Sequence, residues 1–230
     1  MSLHHGLRAA AGRQARVVSL EYTHTAESVT NATSYTFNTV NIGTATADRL
    51  VVVVAMGSAG ASGRTISGIT IDGTAGSSVV TQGNSSASND PICFIAQRVV
   101  TSGTSISVVV ACGGNTFNRM AIAVYTLKDY QSSTAVDTDQ TLYSSSTNTA
   151  TATLDLSSGG VAIYGAQTNG NRTSSWSSAS ENVDAQYSGE TSTYTAANKT
   201  NTSTTTADVE TVTWSSGGPQ TSAIVAASWR

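Results

Sequence analysis

The chain has 230 residues, a net charge of −3, and only 11% charged and 6% aromatic residues, enough length for one large β-sandwich or two small ones without disulfide staples. Arg8, Arg13 and Arg16 precede the first acid, Glu21; removing these three from eleven basic residues leaves eight against fourteen acids, so the body from Val17 onward carries −6. That balance excludes a nucleic-acid groove, which needs clustered Lys and Arg, and no stretch reaches the roughly eighteen apolar residues of a membrane-spanning helix.

In chain order, Leu3 to Ala11 predicts one short helix stopped by Gly12. Its apolar run is broken by His4, His5, Gly6 and Arg8, unlike an export signal, so the expectation is a product that stays in a cytosol. The segment from Met1 to Arg16 reads as an anchoring arm. Leu3 and Leu7 would bury against a partner, and Arg8, Arg13 and Arg16 would make charge-assisted contacts to an acidic surface.

Everything after the arm predicts strands: Arg16 to Thr23, Ser34 to Val40, Arg49 to Met56, Ile66 to Asp72, Ser77 to Thr81, Ile92 to Val99 and Ser105 to Ala111. Then come Arg119 to Leu127, Ala150 to Leu156, Gly160 to Ala166, Val183 to Tyr187, Thr191 to Asn198, Thr206 to Trp214 and Thr221 to Trp229. Short strands at regular intervals with Gly, Asn, Asp and Ser between them predict an all-β chain, an antiparallel β-sandwich of jelly-roll type. Both prolines, Pro91 and Pro219, fall at strand entrances, where a missing donor costs least.

The third, sixth and eighth of these strands are apolar on both faces and predict central positions. The twelfth and thirteenth alternate, as in Thr206, Asp208 and Glu210 against Ala207, Val209 and Thr211, and predict burial on one face only. The halves also echo each other. TyrThrPheAsnThrValAsnIleGly leads into ArgLeuValValValValAlaMetGly, and ThrAlaThrAlaThrLeuAspLeuSerSerGly leads into GlyValAlaIleTyrGlyAlaGln. The pattern suggests two copies, about 17–127 and 128–230, expected to combine in one double-sheet unit with residues 17–230 as its body; the alternative is that any sandwich of alternating strands shows such echoes.

The search for chemistry finds architecture instead. All three histidines, His4, His5 and His24, lie near the start of the chain, and adjacent His4 and His5 point about 100° apart on a helix and cannot chelate together. Cys93 and Cys112 lie in apolar runs and read as reduced core thiols. Asp137 and Asp139 alternate, so both carboxylates could face a hard cation such as Ca²⁺; without a third acid or a turn glycine, a solvated loop is the preferred reading. Acids elsewhere are scattered singly, unlike a glycosidase pair, and no phosphate loop, CysXXCys pair or dinucleotide fingerprint occurs, so no enzyme activity, metal or cofactor is expected. Trp214 and Trp229 read as core, whereas Trp176, in the loop SerSerTrpSerSer, is the candidate glycan contact. The AsnXaaSer/Thr triplets at Asn31, Asn84, Asn171, Asn198 and Asn201 read as chance in a chain this rich in Ser and Thr.

The succession AspArgLeuValValValValAla, IleSerGlyIleThrIleAspGly, PheIleAlaGlnArgValValThrSerGlyThrSerIleSerValValValAla, ArgMetAlaIleAlaValTyrThrLeu and the closing AlaAlaSerTrpArg resembles β-rich structural proteins of bacteriophages that infect Gram-negative, particularly α-proteobacterial, hosts. The resemblance runs from about Ser34 to Arg230 and rests on strand-and-turn patterns, so it carries over no functional residue. It implies a virion structural protein on the particle exterior, a capsid decoration or head-fibre component docked through the arm. The expected partners are other virion proteins of capsid or tail and further copies of the chain in a homo-oligomer. The alternative is a tail- or fibre-associated module that binds a host surface glycan through Trp176.

Overall fold

The computed structural model describes residues 16–61, 63–82, 91–143, 148–189, 191–215 and 220–230. The expected helix, most of the arm and Pro219 lie outside them. The first half forms β1 (Ser19–Ser28), β2 (Ser34–Asn41), β3 (Leu50–Ala59), β4 (Gly68–Ile71), β5 (Thr74–Ala75), β6 (Ser77–Gln82), β7 (Pro91–Val99), β8 (Ser105–Ala111) and β9 (Phe117–Lys128). The second forms β10 (Asp137–Tyr143), β11 (Thr149–Leu156), β12 (Val161–Asn169), β13 (Ser174–Trp176), β14 (Ser180–Gln186), β15 (Ser192–Thr200), β16 (Thr205–Trp214) and β17 (Ser222–Trp229).

Each half builds two antiparallel sheets, and the strand orders correspond. The first half pairs β1-β9-β3-β7-β6 in one sheet and β2-β8-β4-β5 in the other; the second pairs β10-β17-β12-β15-β14 and β11-β16-β13. Most successive strands switch between the two sheets of their half, with only β4–β5, β6–β7 and β14–β15 staying within one, which is jelly-roll connectivity. The second half lacks only a counterpart of β5.

Three cores separate these four layers. Val51, Val53, Phe94 and Ile122 face Phe37, Ile71 and Val108 inside the first jelly roll. Leu154, Val212 and Trp214 face Tyr164 and Ile224 inside the second. The alternate residues of the two five-stranded sheets, among them Leu50, Val52, Val54, Ile95 and Tyr125 against Val161, Ile163, Tyr194, Val225 and Trp229, meet in a third core between the halves. The halves therefore do share a core, but as two stacked sandwiches and not as one double-sheet unit. Strands β3, β7 and β9 are apolar on both faces because both of their faces are covered, as strands of a buried middle layer must be.

One pattern reading is corrected and one holds. β15, the twelfth predicted strand, is buried on both faces through most of its length, because Thr193 and Thr195 occupy the inner face of the second jelly roll as hydrogen-bonded side chains. β16, the thirteenth, is buried on one face only, as its alternation predicts, and the buried face is the one that carries Glu210, whereas Val209 is exposed. Val212 and Trp214 share the parity of Asp208 and Glu210, and burying those two large side chains carries the carboxylates inward with them.

The layers approach closely at Gly165 of β12, where an added Cβ would lie 2.2 Å from Val54 Cγ1 of β3. Gly165→Ala is expected to cost about 1–3 kcal/mol in urea denaturation through overpacking. Adding Val54→Ala to the same chain should recover part of that loss.

Candidate functional site

The registers give the block two ends. Ser19 of β1, Leu50 of β3, Val99 of β7 and Lys128 of β9 lie together at one end, and Val161, Trp229 and Thr200 close the same end of the second half. The arm leaves from here. Val18 N–H donates to Gly159 O at 2.8 Å, and Gly159 has φ +73, with Arg16 O only 3.2 Å from where its Cβ would be. A bare glycine in the left-handed region thus lets the first described residues cross the β11–β12 turn of the other half. The chain terminus joins this end, where Arg230 O accepts Gln131 N–H and Ser132 N–H.

Arg49 organises the layer beneath. Its side chain is fully buried and donates to five carbonyls: Nε to Val100 (2.8 Å), one terminal nitrogen to Ile42 and Gly43 (3.3 and 2.9 Å), and the other to Ser102 and Gly103 (2.7 and 2.9 Å). It binds the β2–β3 connection to the β7–β8 connection without a carboxylate partner among these contacts. Asp48 beside it accepts Asp129 N–H at 2.8 Å. That bond chiefly holds its carboxyl below the ordinary value, with the Arg16 charge as a smaller contribution. Three of the large apolar residues that stay exposed also sit at this end: Val17 (68%), Val136 (51%) and Val99 (40%).

Of the proposed arm contacts, Arg16 is described and exposed; Leu3, Leu7, Arg8 and Arg13 lie outside the described residues. Trp176 is not in a loop. It forms the end of β13, half-buried, its indole N–H donating to Thr195 Oγ1 at 2.9 Å and its ring 5.7 Å from that of Tyr164. His24 is half-buried in β1, and burial lowers its pKa; His4 and His5 lie outside. Cys93 and Cys112 are free and buried in different cores, with burial pushing the Cys112 thiol up to about 11 and Cys93 beyond it. Such thiols are poor nucleophiles.

Asp137 and Asp139 are in strand β10, not in a solvated loop. Asp137 Oδ2 accepts Asp155 N–H and Asp139 Oδ2 accepts Thr153 N–H, each at 2.7 Å. Asp155 in turn accepts Ala207 N–H at 2.8 Å. The carboxylates act as surrogate strand carbonyls that close the exposed edge of β11, a use of acids at a sheet edge that also opposes edge-to-edge pairing. Among the described residues no group of three or more His, Cys, Asp or Glu side chains is placed to hold a metal ion, and no helix is long and apolar enough to cross a membrane.

Two features escaped sequence reasoning. One is the Arg49 clamp, whose signal was a lone arginine directly ahead of the valine run. The other is a buried polar group in the second jelly roll. Glu210 accepts Ser177 Oγ, Ser178 N, Ser178 Oγ and Ala179 N at 2.6–3.1 Å, and Lys199 sits on Asp208 beside it. Burial alone would raise the Glu210 carboxyl, but the bonds from Ser178, Ala179 and Ser177 outweigh it and hold the group below its ordinary value. A shallow groove of about 450 Å³ opens between β4–β5 and β6, floored by Ile66, Ile69 and Phe94 and rimmed by Ser67, Thr70, Ser78 and Thr81; its walls carry no titratable side chain.

No protein-family model matches the chain, and no curated protein matches it.

Proposed function

We propose that this chain is a structural protein of a bacteriophage particle, a capsid decoration or head-fibre component on the particle exterior, docked through its N-terminal arm to other virion proteins. The observation that supports the reading is the polarity of the block. The arm leaves from an end that is clamped by Arg49 and carries exposed Val17, Val99 and Val136, while the β1–β2, β8–β9 and β12–β13 connections leave from the other. A rigid four-layer body between a docking end and a free end suits a protein that binds and builds, with no catalytic role. Corresponding strand orders in the two halves are what duplication of one jelly roll would leave, and further copies of the chain would assemble at symmetric positions on the particle.

The alternative, a tail- or fibre-associated module that reads a host surface glycan through Trp176, has weaker support, because the indole N–H is already engaged and the ring half-buried. Deleting Met1 to Arg16 tests the first reading. Particles assembled with the shortened chain should lose it at least tenfold, as quantified by mass spectrometry of purified virions, and undiminished incorporation of the folded protein would overturn arm docking.

A further inference from the structure

We propose that Lys199 and Asp208 are joined by an amide bond that the chain forms on itself, a covalent stitch between β15 and β16 of the second jelly roll. Lys199 Nζ lies 2.9 and 2.7 Å from the two Asp208 carboxylate oxygens. The side chains of Lys199, Asp208 and Glu210 are 20%, 16% and 0% exposed, and they sit beside the buried ring of Tyr164, whose phenol is pushed up by burial and then by the Glu210 and Asp208 charges. A nucleophile and an electrophile are therefore in direct contact at a partly exposed site, with a fully buried third acid beside them.

The third acid has a path to the nucleophile. Glu210 Oε2 is 3.9 Å from Lys199 Nζ, and Ser178 Oγ bridges the gap, accepting from Nζ at 2.9 Å and donating to Glu210 at 2.6 Å. Glu210 relays a proton from the Lys199 ammonium, through this hydroxyl, to an Asp208 oxygen. The free amine attacks Asp208 Cγ, a C–N bond forms, one C–O bond breaks, and the departing oxygen leaves as water with the two protons the nitrogen has lost. Glu210 carries those protons across and ends ionised. Ammonium plus carboxylate thus become amide plus water, with no oxidant, metal or nucleotide required. Fixed contact favours the step, because it replaces a bimolecular encounter and is worth effective concentrations on the order of 10⁵ M or more.

The first jelly roll shows that the fold itself does not need these charges. There β8, in the place of β16, turns Ile106, Val108 and Val110 into the core. Glu210, a buried acid where apolar residues suffice, is seldom the kind of group kept for stability alone. The stitch closes only the nine-residue separation of the pair, so it would lock the β15–β16 end against fraying and proteolysis while joining the inner sheet of this half to its outer sheet.

Mass spectrometry of the denatured full-length protein decides. The intact mass should fall short of the sequence mass by one water. Trypsin should fail to cut after Lys199, leaving residues 173–230 as one peptide whose fragment ions place the link between Lys199 and Asp208. Lys199→Arg and Asp208→Ala should each restore the full mass, and Glu210→Gln should slow or abolish the loss. A wild-type protein of full mass that is cleaved after Lys199 would show an ion pair only and overturn the proposal. So would a water loss that maps to succinimide formation at Asp72 and Gly73.

Discussion

Expressed apart, the two jelly rolls are expected to be insoluble, and expressed together as separate chains cut within the Asp129 to Val136 connection they should recover as a soluble one-to-one complex. Each half presents to the other a five-stranded sheet face of large apolar side chains, including Leu50, Val54, Ile95, Tyr125 and Leu127 on one side and Val161, Ile163, Val225 and Trp229 on the other. At about 1.5–3 kcal/mol for each such side chain, uncovering one face forfeits as much as the roughly 5–15 kcal/mol that typically separates a folded domain from its unfolded chain. It would also expose an apolar patch well beyond the few hundred Å² a monomer tolerates.

Association of the fragments should keep the native register, because polar contacts cross the same face. Tyr187 OH donates to Met56 O at 2.6 Å, Trp229 Nε1 to Gln97 Oε1 at 2.8 Å and Tyr125 OH to Asn182 Oδ1 at 3.0 Å. Sedimentation and intrinsic tryptophan fluorescence of the co-expressed pair check this. A single half that is soluble, folded and monomeric alone would remove the shared core as a condition of stability.

Replacing Arg49 with Met should lower stability by about 3–5 kcal/mol in urea denaturation at unchanged m-value. The cost arises because carbonyls of Ile42, Gly43, Val100, Ser102 and Gly103 lose their donor while two connections remain packed together. Arg49→Lys should recover only a minor part, since one ammonium with three donors cannot span the fork that five carbonyls occupy. A loss below about 1 kcal/mol would mean that solvent replaces the guanidinium without penalty. Because Arg49 lies under the arm-bearing end, the proposed arm docking predicts that the Met variant binds particles less well at temperatures where it remains folded.

The strands themselves were legible to within a few residues, since period-two alternation and β-branched runs are local properties. Those that escaped detection are the ones whose pairing supplies what their sequence lacks. β5 is two residues long, β13 three, and β10 reads AspThrAspGlnThrLeuTyr, a polar segment held as an edge strand by β17 on one side and by its own acids against β11 on the other. The candidate site was less legible. The arginines of the arm could be seen, but the clamp at the end from which they depart joins segments 51–54 residues apart, and the turn glycine that lets the chain cross, Gly159, is more than a hundred residues from Val18.

What the sequence by itself determined is an all-β chain with central strands apolar on both faces and strand pairs repeated across two halves, because these follow from residue type and spacing alone. The tertiary structure decided that the halves stack as four layers, that β16 turns Glu210 inward behind Val212 and Trp214, and that Asp137 and Asp139 cap a neighbouring strand. Each of those outcomes depends on which sheet covers which face. That choice is made by burial of large side chains across the whole block and by the register of strands far apart in the chain, and no local pattern encodes it.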